Sequence, residues 1–326
     1  MGVYFWPAIL FLACGLLTVS VGQKRTGRSV EVWRGEEGGW KEAVIVRSRE
    51  VEAVIVPSVG RVMQFRFRGE GSGPFWENEG LVGGVPDAEA KEWRNFGGDK
   101  TWPAPQGDWP GVVGRAWPPP RAFDAMAVEA VVRGDWVELV SPVDPQYGIR
   151  TRREVRLEPG RPVMTIRTIY EKVEGEPRKV SVWVITQLRD PAAVFVPLPG
   201  RSIFPEGYVR QSKELPANLR RSEGGLWMTR GPKTATKIGT DAGRLLWIGE
   251  REALLIDSPR EAQGVYPDQG SSAEVYTNPD PAAYVELEML GPLRELKRGD
   301  RIERVNRYTL FRRREKTVEA EARRIL

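Results

Sequence analysis

Two acids one residue apart, Glu286 and Glu288 in "YVELE", and an acid beside a base, Asp99 and Lys100 in "NFGGDKTWPAPQGDWP", are the residues of this 326-residue chain best placed for chemistry. Alternate side chains of a strand share a face, so Tyr284, Glu286 and Glu288 point one way and Val285 and Leu287 the other. That puts the carboxylates about 7 Å apart, a spacing at which two acids can share work on a sugar. An exposed pair neutralised by arginines is the equal alternative. The second string adds Asn95, Gln106, Trp102 and Trp109 among glycines and prolines expected to leave neither helix nor long strand. Indole faces suit the C–H faces of sugars, and amides and charges suit their hydroxyls. Prolines 103, 105, 110 and 118–120 would stiffen this wall and lower the entropy cost of ordering it on binding. The other reading is a cap on one end of the fold, its tryptophans buried and Asp99 paired with Lys100 or an arginine.

Composition narrows the chemistry. The chain has no histidine and one cysteine, Cys14. Thiol nucleophiles, disulfides, Ser-His-Asp triads and ordinary zinc or copper sites are therefore excluded. Acid–base work falls to carboxylates, Lys, Tyr or an oxygen-liganded ion such as calcium. No metal ligands and no cofactor are nominated. The net charge of +5 is spread along the chain, and the basic "RRRE" and "EARR" near its end read as a solvated tail. No phosphate-binding loop, dinucleotide fingerprint or RNA-binding signature is present, so no nucleic-acid partner is expected.

The elements that must position these residues are strands. "SVEVW", "EAVIV" twice, "RVMQFRF", "DWVELV", "PVMTIRTIY", "VSVWVITQL", "RLLWIG", "AEVYT", "YVELE" and "RVNRYTLF" are short alternating or β-branched runs separated by Gly, Pro, Asp and Asn turns. They predict an all-β fold, a large sandwich, with one surface helix at the terminal "KTVEAEARRIL". In "VSVWVITQL", Ser181, Trp183, Ile185 and Gln187 share one face and Val182, Val184 and Thr186 the other. Asp268 and Glu274 of "YPDQGSSAEVYTN" either join the acids or organise the turn, the turn being favoured. Arg152 and Arg153 read as solvated. Residues 1–22 carry no charge and read as a signal peptide ending at a small-x-small site, which predicts a periplasmic or secreted protein, with an uncleaved membrane anchor as the lesser alternative. Residues 23–326 read as a single domain, with no membrane contact for the mature chain and a monomeric state expected.

The order of these segments resembles the galactose mutarotase-like superfamily. The likeness runs through "IVPSVGRVMQFRFRGEGSGPFWEN", the paired strands from "GIRTRREVRL" to "VSVWVITQL", and the closing "YVELEMLGPLRELKRGDRIERVNRYTLF". More narrowly, "NFGGDKTWPAPQ", "TQL", "YPDQGSSAEVYTN" and "YVELEMLGP" resemble the uncharacterised bacterial DUF4380 proteins. The likeness covers roughly residues 45–312. It implies a large two-sheet antiparallel β-supersandwich, a carbohydrate ligand, and a sugar contact near Trp76 and Asn78. It also exposes a departure. Aldose 1-epimerases of the superfamily pair a histidine acid with a glutamate base, and here Trp183, Thr186 and Gln187 stand in the histidine's neighbourhood. None of these can act as a general acid near neutral pH.

The resulting expectation is a carbohydrate-binding protein without the usual epimerase mechanism. Its ligand residues are Asn95, Trp102, Gln106, Trp109, Trp183, Gln187, Trp76 and Asn78. The alternative is an epimerase, lyase or hydrolase using Glu286 or Glu288 as base and Lys100, Asp99 or a tyrosine as acid. A structural envelope protein with a decayed pocket is the third reading.

Overall fold

The alternation read in "YVELE" runs through most of the chain and builds two antiparallel sheets. The computed structural model describes residues 1–2, 30–87 and 92–326. The expected signal segment, Cys14 included, lies almost wholly outside the described residues. The first sheet has eleven strands. Its central order is Arg61–Phe67, Asp99–Ala104, Arg178–Arg189, Tyr284–Leu290, Ala273–Thr277 and Thr236–Thr240. The second has ten, centred on Glu252–Asp257, Arg301–Arg312, Val163–Lys172 and Ile149–Leu157.

The sheets face each other across one apolar core. Phe65, Leu188, Val275, Val285 and Leu287 come from the first sheet, and Val155, Ile166, Leu254, Tyr308 and Leu310 from the second. This is the all-β, two-sheet supersandwich expected, and the terminal helix is Val318–Ile325. That helix is capped by Thr317 and packs Ala322, Val318 and Ile325 against Phe195 and Trp227 of the second sheet.

The string expected to hold neither helix nor long strand contains a short strand and a short helix. Asp99–Ala104 is a strand inside the first sheet, followed by a helical turn, Gln106–Asp108, and a short helix, Trp109–Val113. Proline normally disrupts an interior strand because it lacks the ladder's N–H donor. Here Pro103 is tolerated because the neighbouring Arg61–Phe67 strand pairs only as far as Asp99. The two glycines before Asp99 have a physical reason as well. Gly97 has φ 95° and Gly98 φ 71°, and a Cβ on either would overlap a backbone carbonyl, of Trp76 or of Val62. The tight crossing they permit delivers the chain into the sheet at Asp99.

Candidate ligand-binding site

Register decides which side chains meet. Trp102 pairs with Trp183 and Lys100 with Ile185; Ile185 in turn pairs with Glu288, and Gln187 with Glu286. One strand further, Glu288 pairs with Glu274 and Glu286 with Tyr276, and Tyr276 pairs with Lys237. Directly paired residues share a face. The face of the first sheet turned away from the core therefore carries Lys100, Trp102, Trp183, Gln187, Glu286, Glu288, Glu274, Tyr276 and Lys237. The expected parity of Tyr284, Glu286 and Glu288 against Val285 and Leu287 is what the strand shows.

The charges on this face form a triad, Lys237 with Glu274 and Glu288, and a pair, Lys100 with Glu286. Lys237 Nζ lies 2.6 Å from Glu274 Oε2 and donates to Glu288 Oε2 at 2.9 Å, and Trp183 Nε1 donates to the same oxygen at 2.6 Å. Burial alone would lower the Lys237 pKa, but the two carboxylates outweigh it and hold the ammonium charged. Burial pushes Glu288 well above the ordinary carboxylate value, with Lys237 opposing the shift. The pair is looser. Lys100 Nζ sits 3.7 Å from Glu286 Oε1 with no hydrogen-bond partner among the described residues, 4.6 and 5.5 Å from the Trp102 and Trp93 ring centroids. Its side chain is 1% exposed, and this desolvation lowers its pKa to about 8 despite the attraction of Glu286. Glu286 is fixed by Gln187 Nε2 at 2.8 Å.

Beneath the tryptophans lies an anchor. Asp124 accepts hydrogen bonds from Trp102 Nε1 at 2.9 Å, Trp93 Nε1 at 2.7 Å and Arg61 Nη2 at 2.8 Å; Arg61 also donates to the Gly97 carbonyl at 2.8 Å. One buried ion pair thus fixes both indoles over Lys100 and the turn that delivers it. Asp124, Arg61, Trp93 and Lys237 were not foreseen. Each reaches the site through long-range register or loop docking, and the only local signal was the outward parity of Lys237 between Thr236 and Ile238.

The other nominated residues divide. Asp99 is removed from the site: as Lys100's neighbour on a strand it points to the opposite face, into the core. There it pairs with Arg153 and accepts from Thr186 Oγ1 at 2.7 Å and Tyr308 at 2.6 Å, tying the sheets together. Arg153, read as solvated, is buried for the same reason. Trp109 is fully buried, donates to the Pro103 carbonyl and stacks edge-on behind Trp102, so it supports the wall instead of forming it. Gln106 is exposed in the helical turn beyond the strand. Asn95 accepts from the Gly97 amide, and Asn78 caps a turn through the Gly80 amide while donating to the Asn95 carbonyl; both shape the loop. Trp76 stacks on Tyr284 with centroids 4.6 Å apart, at the edge of the acidic strand. Glu274, favoured as a turn residue, belongs to the charged cluster.

No protein-family model matches this chain, so the narrower likeness to DUF4380 rests on the quoted strings alone. No curated protein sequence matches either. Solved structures do. A galactose mutarotase-like protein from Lactobacillus casei superposes with a TM-score of 0.53 at 8% identity over 82% of this chain and 99% of its own. A Klebsiella pneumoniae protein described as an aldose 1-epimerase gives 0.53 at 11% identity over 91% and 86%. A TPR-domain-containing protein from Parabacteroides distasonis gives 0.54 at 12% identity over 82% of this chain, which spans about half of that longer one (47%). In the histidine neighbourhood, Thr186 faces the core beside Asp99, while Trp183 and Gln187 face outward onto the two glutamates. With its two antiparallel sheets and these neighbours, the chain has the galactose mutarotase-like fold.

Proposed function

We propose that the protein binds carbohydrate on the outer face of its eleven-stranded sheet. One observation carries this reading. Among the described residues, four buried polar atoms on that face lack a hydrogen-bond partner, and three of them, Lys100 Nζ, Gln187 Oε1 and Glu288 Oε1, are not held by a close ion pair as Glu274 Oε2 is by Lys237. Leaving such groups unpaired costs about 1–3 kcal/mol each. They lie on adjacent paired strands beside the Trp102–Trp183 pair. One donor, two acceptors and flanking indoles match a polyhydroxylated ring, which offers acceptors and donors on its rim and C–H groups on its faces. Secretion or periplasmic export belongs to the same proposal and rests on the uncharged segment 1–22. Titration of intrinsic tryptophan fluorescence with a broad panel of mono- and oligosaccharides tests it. A saturable change for at least one sugar, abolished in Lys100→Met, supports the reading; no response across the panel ends it.

A second reading, catalysis of sugar ring opening, draws support from Lys100 and Glu286. The ring oxygen and the anomeric hydroxyl sit on one carbon, so a proton donor and a proton acceptor for them must be a few ångströms apart. The 3.7 Å between Lys100 Nζ and Glu286 Oε1 satisfies that. A lysine lowered to about 8 can give and regain a proton near neutral pH. Lys100 would protonate the ring oxygen as Glu286 takes the hydroxyl proton. Polarimetry of freshly dissolved α-anomers checks this: acceleration lost in Glu286→Gln supports it, and unaccelerated mutarotation of a sugar that binds rejects it.

A further inference from the structure

We propose that the ligand is a neutral oligosaccharide, and that a groove beside the charged face, walled by Trp76, holds the sugar unit next to the one over Glu286. This rests on the carbohydrate reading above and extends it to chain length.

The groove is an open hollow of about 700 Å³ lined by Trp76, Glu77, Asn78, Arg189, Pro281 and Ala282, among others. Its volume lies within the range of about 300–1,000 Å³ usual for small-molecule sites. Continuity with the charged face follows from strand geometry. Arg189 is two residues beyond Gln187 on the same face, and it pairs with Tyr284, two residues before Glu286. Two residues advance a strand by about 7 Å. The groove therefore begins one strand repeat past the Gln187–Glu286 pair, and the Trp76–Tyr284 stack forms the boundary between the two.

The two compartments differ in exposure. Lys100, Gln187 and Glu288 are almost completely buried, at 1%, 0% and 0% exposed. The groove is open, and Trp76 is only half-buried. A ligand of one ring would leave an indole and a hollow of this size facing water beside it. A chain of rings uses both.

The chemistry of the groove selects against charge. Arg189 already pairs with Glu252 at 2.8 Å. Burial raises the pKa of Glu77, with Gln64 and Arg66 opposing the shift. Glu77 and Glu79 on its rim disfavour an anionic sugar, and the Trp76 indole face suits an uncharged pyranose.

The test is calorimetric titration of the full chain with matched series of one to five units, built on glucose, galactose, xylose and N-acetylglucosamine. The expected result is an affinity at least tenfold higher for the trisaccharide than for the monosaccharide in at least one series. That ratio should collapse towards one in Ala282→Trp, which fills the groove, and in Trp76→Ala, which removes its wall. Two variants are used because Trp76→Ala also unstacks Tyr284. A monosaccharide that binds as tightly as its trisaccharide, or a ratio that survives Ala282→Trp, overturns the groove proposal while leaving the carbohydrate reading in place. Absence of binding by every member of every series overturns both.

Discussion

Replacing Lys100 with methionine should make the protein more stable while abolishing ligand binding. A buried polar side chain usually destabilises when truncated, because its partners are left unpaired. Lys100 has no hydrogen-bond partner to orphan among the described residues, and its ammonium is desolvated beside two indoles. Its pKa falls from 10.5 to about 8 on folding. The unfolded chain therefore binds more protons than the folded one between pH 8 and 10.5, and this contribution makes wild-type stability rise with pH across that window. Below it the cost is present in full, about 3 kcal/mol at ~1.4 kcal/mol per unit. Methionine keeps the length of the side chain and removes the charge, at the loss of the attraction to Glu286. The variant should gain about 1–3 kcal/mol at pH 7, most of it gone by about pH 10. Urea unfolding of both proteins at the two pH values measures this. A variant less stable than wild type at pH 7, or a gain independent of pH, would refute the placement of Lys100 as a desolvated, unpartnered cation.

Asp99→Asn should cost about 3–5 kcal/mol in the same unfolding assay, since it strands the buried Arg153 and weakens two hydrogen bonds across the sheets. Lys237→Met leaves Glu274 and Glu288 facing each other without a cation, and should lower the melting temperature more at pH 8 than at pH 5, where Glu288, raised by burial, takes up a proton more readily. Asp268 is raised from 3.8 to about 6 by burial and by Glu274. The folded state thus holds its proton more tightly, and this contribution is lost as pH rises through 6; Asp268→Asn should stabilise at pH 7 and be neutral at pH 4. Gly97→Ala should destabilise and weaken binding together, because the turn it distorts sets Lys100 in place.

Face assignment was legible wherever a run alternated cleanly. "YVELE" and "VSVWVITQL" place Glu286, Glu288, Trp183 and Gln187 outward by parity alone, and the sheet keeps that arrangement. Asp99 and Lys100 show where the same logic was missed. Adjacent residues of one strand cannot serve one face, but the glycines and prolines around them concealed that they lie on a strand. The proline is accommodated by a short neighbouring strand, which is a property of register and not of local composition. Glu274, Lys237, Arg61 and Asp124 depend on which strands and loops become neighbours across long separations, 51 residues between Lys237 and Glu288 and 63 between Arg61 and Asp124. Pairing of that kind is written in no local pattern. The absence of histidine was legible at once, and it directed attention to Lys100, the group that the fold then desolvates.

The most direct measurement of the account is a crystal structure of the protein grown with the tightest-binding saccharide of the panel. The account predicts a sugar ring within hydrogen-bonding distance of Lys100 Nζ, Gln187 Oε1 or Glu288 Oε1, with a second ring against Trp76. A saccharide bound elsewhere on the protein, with those three atoms still unpartnered, would contradict it.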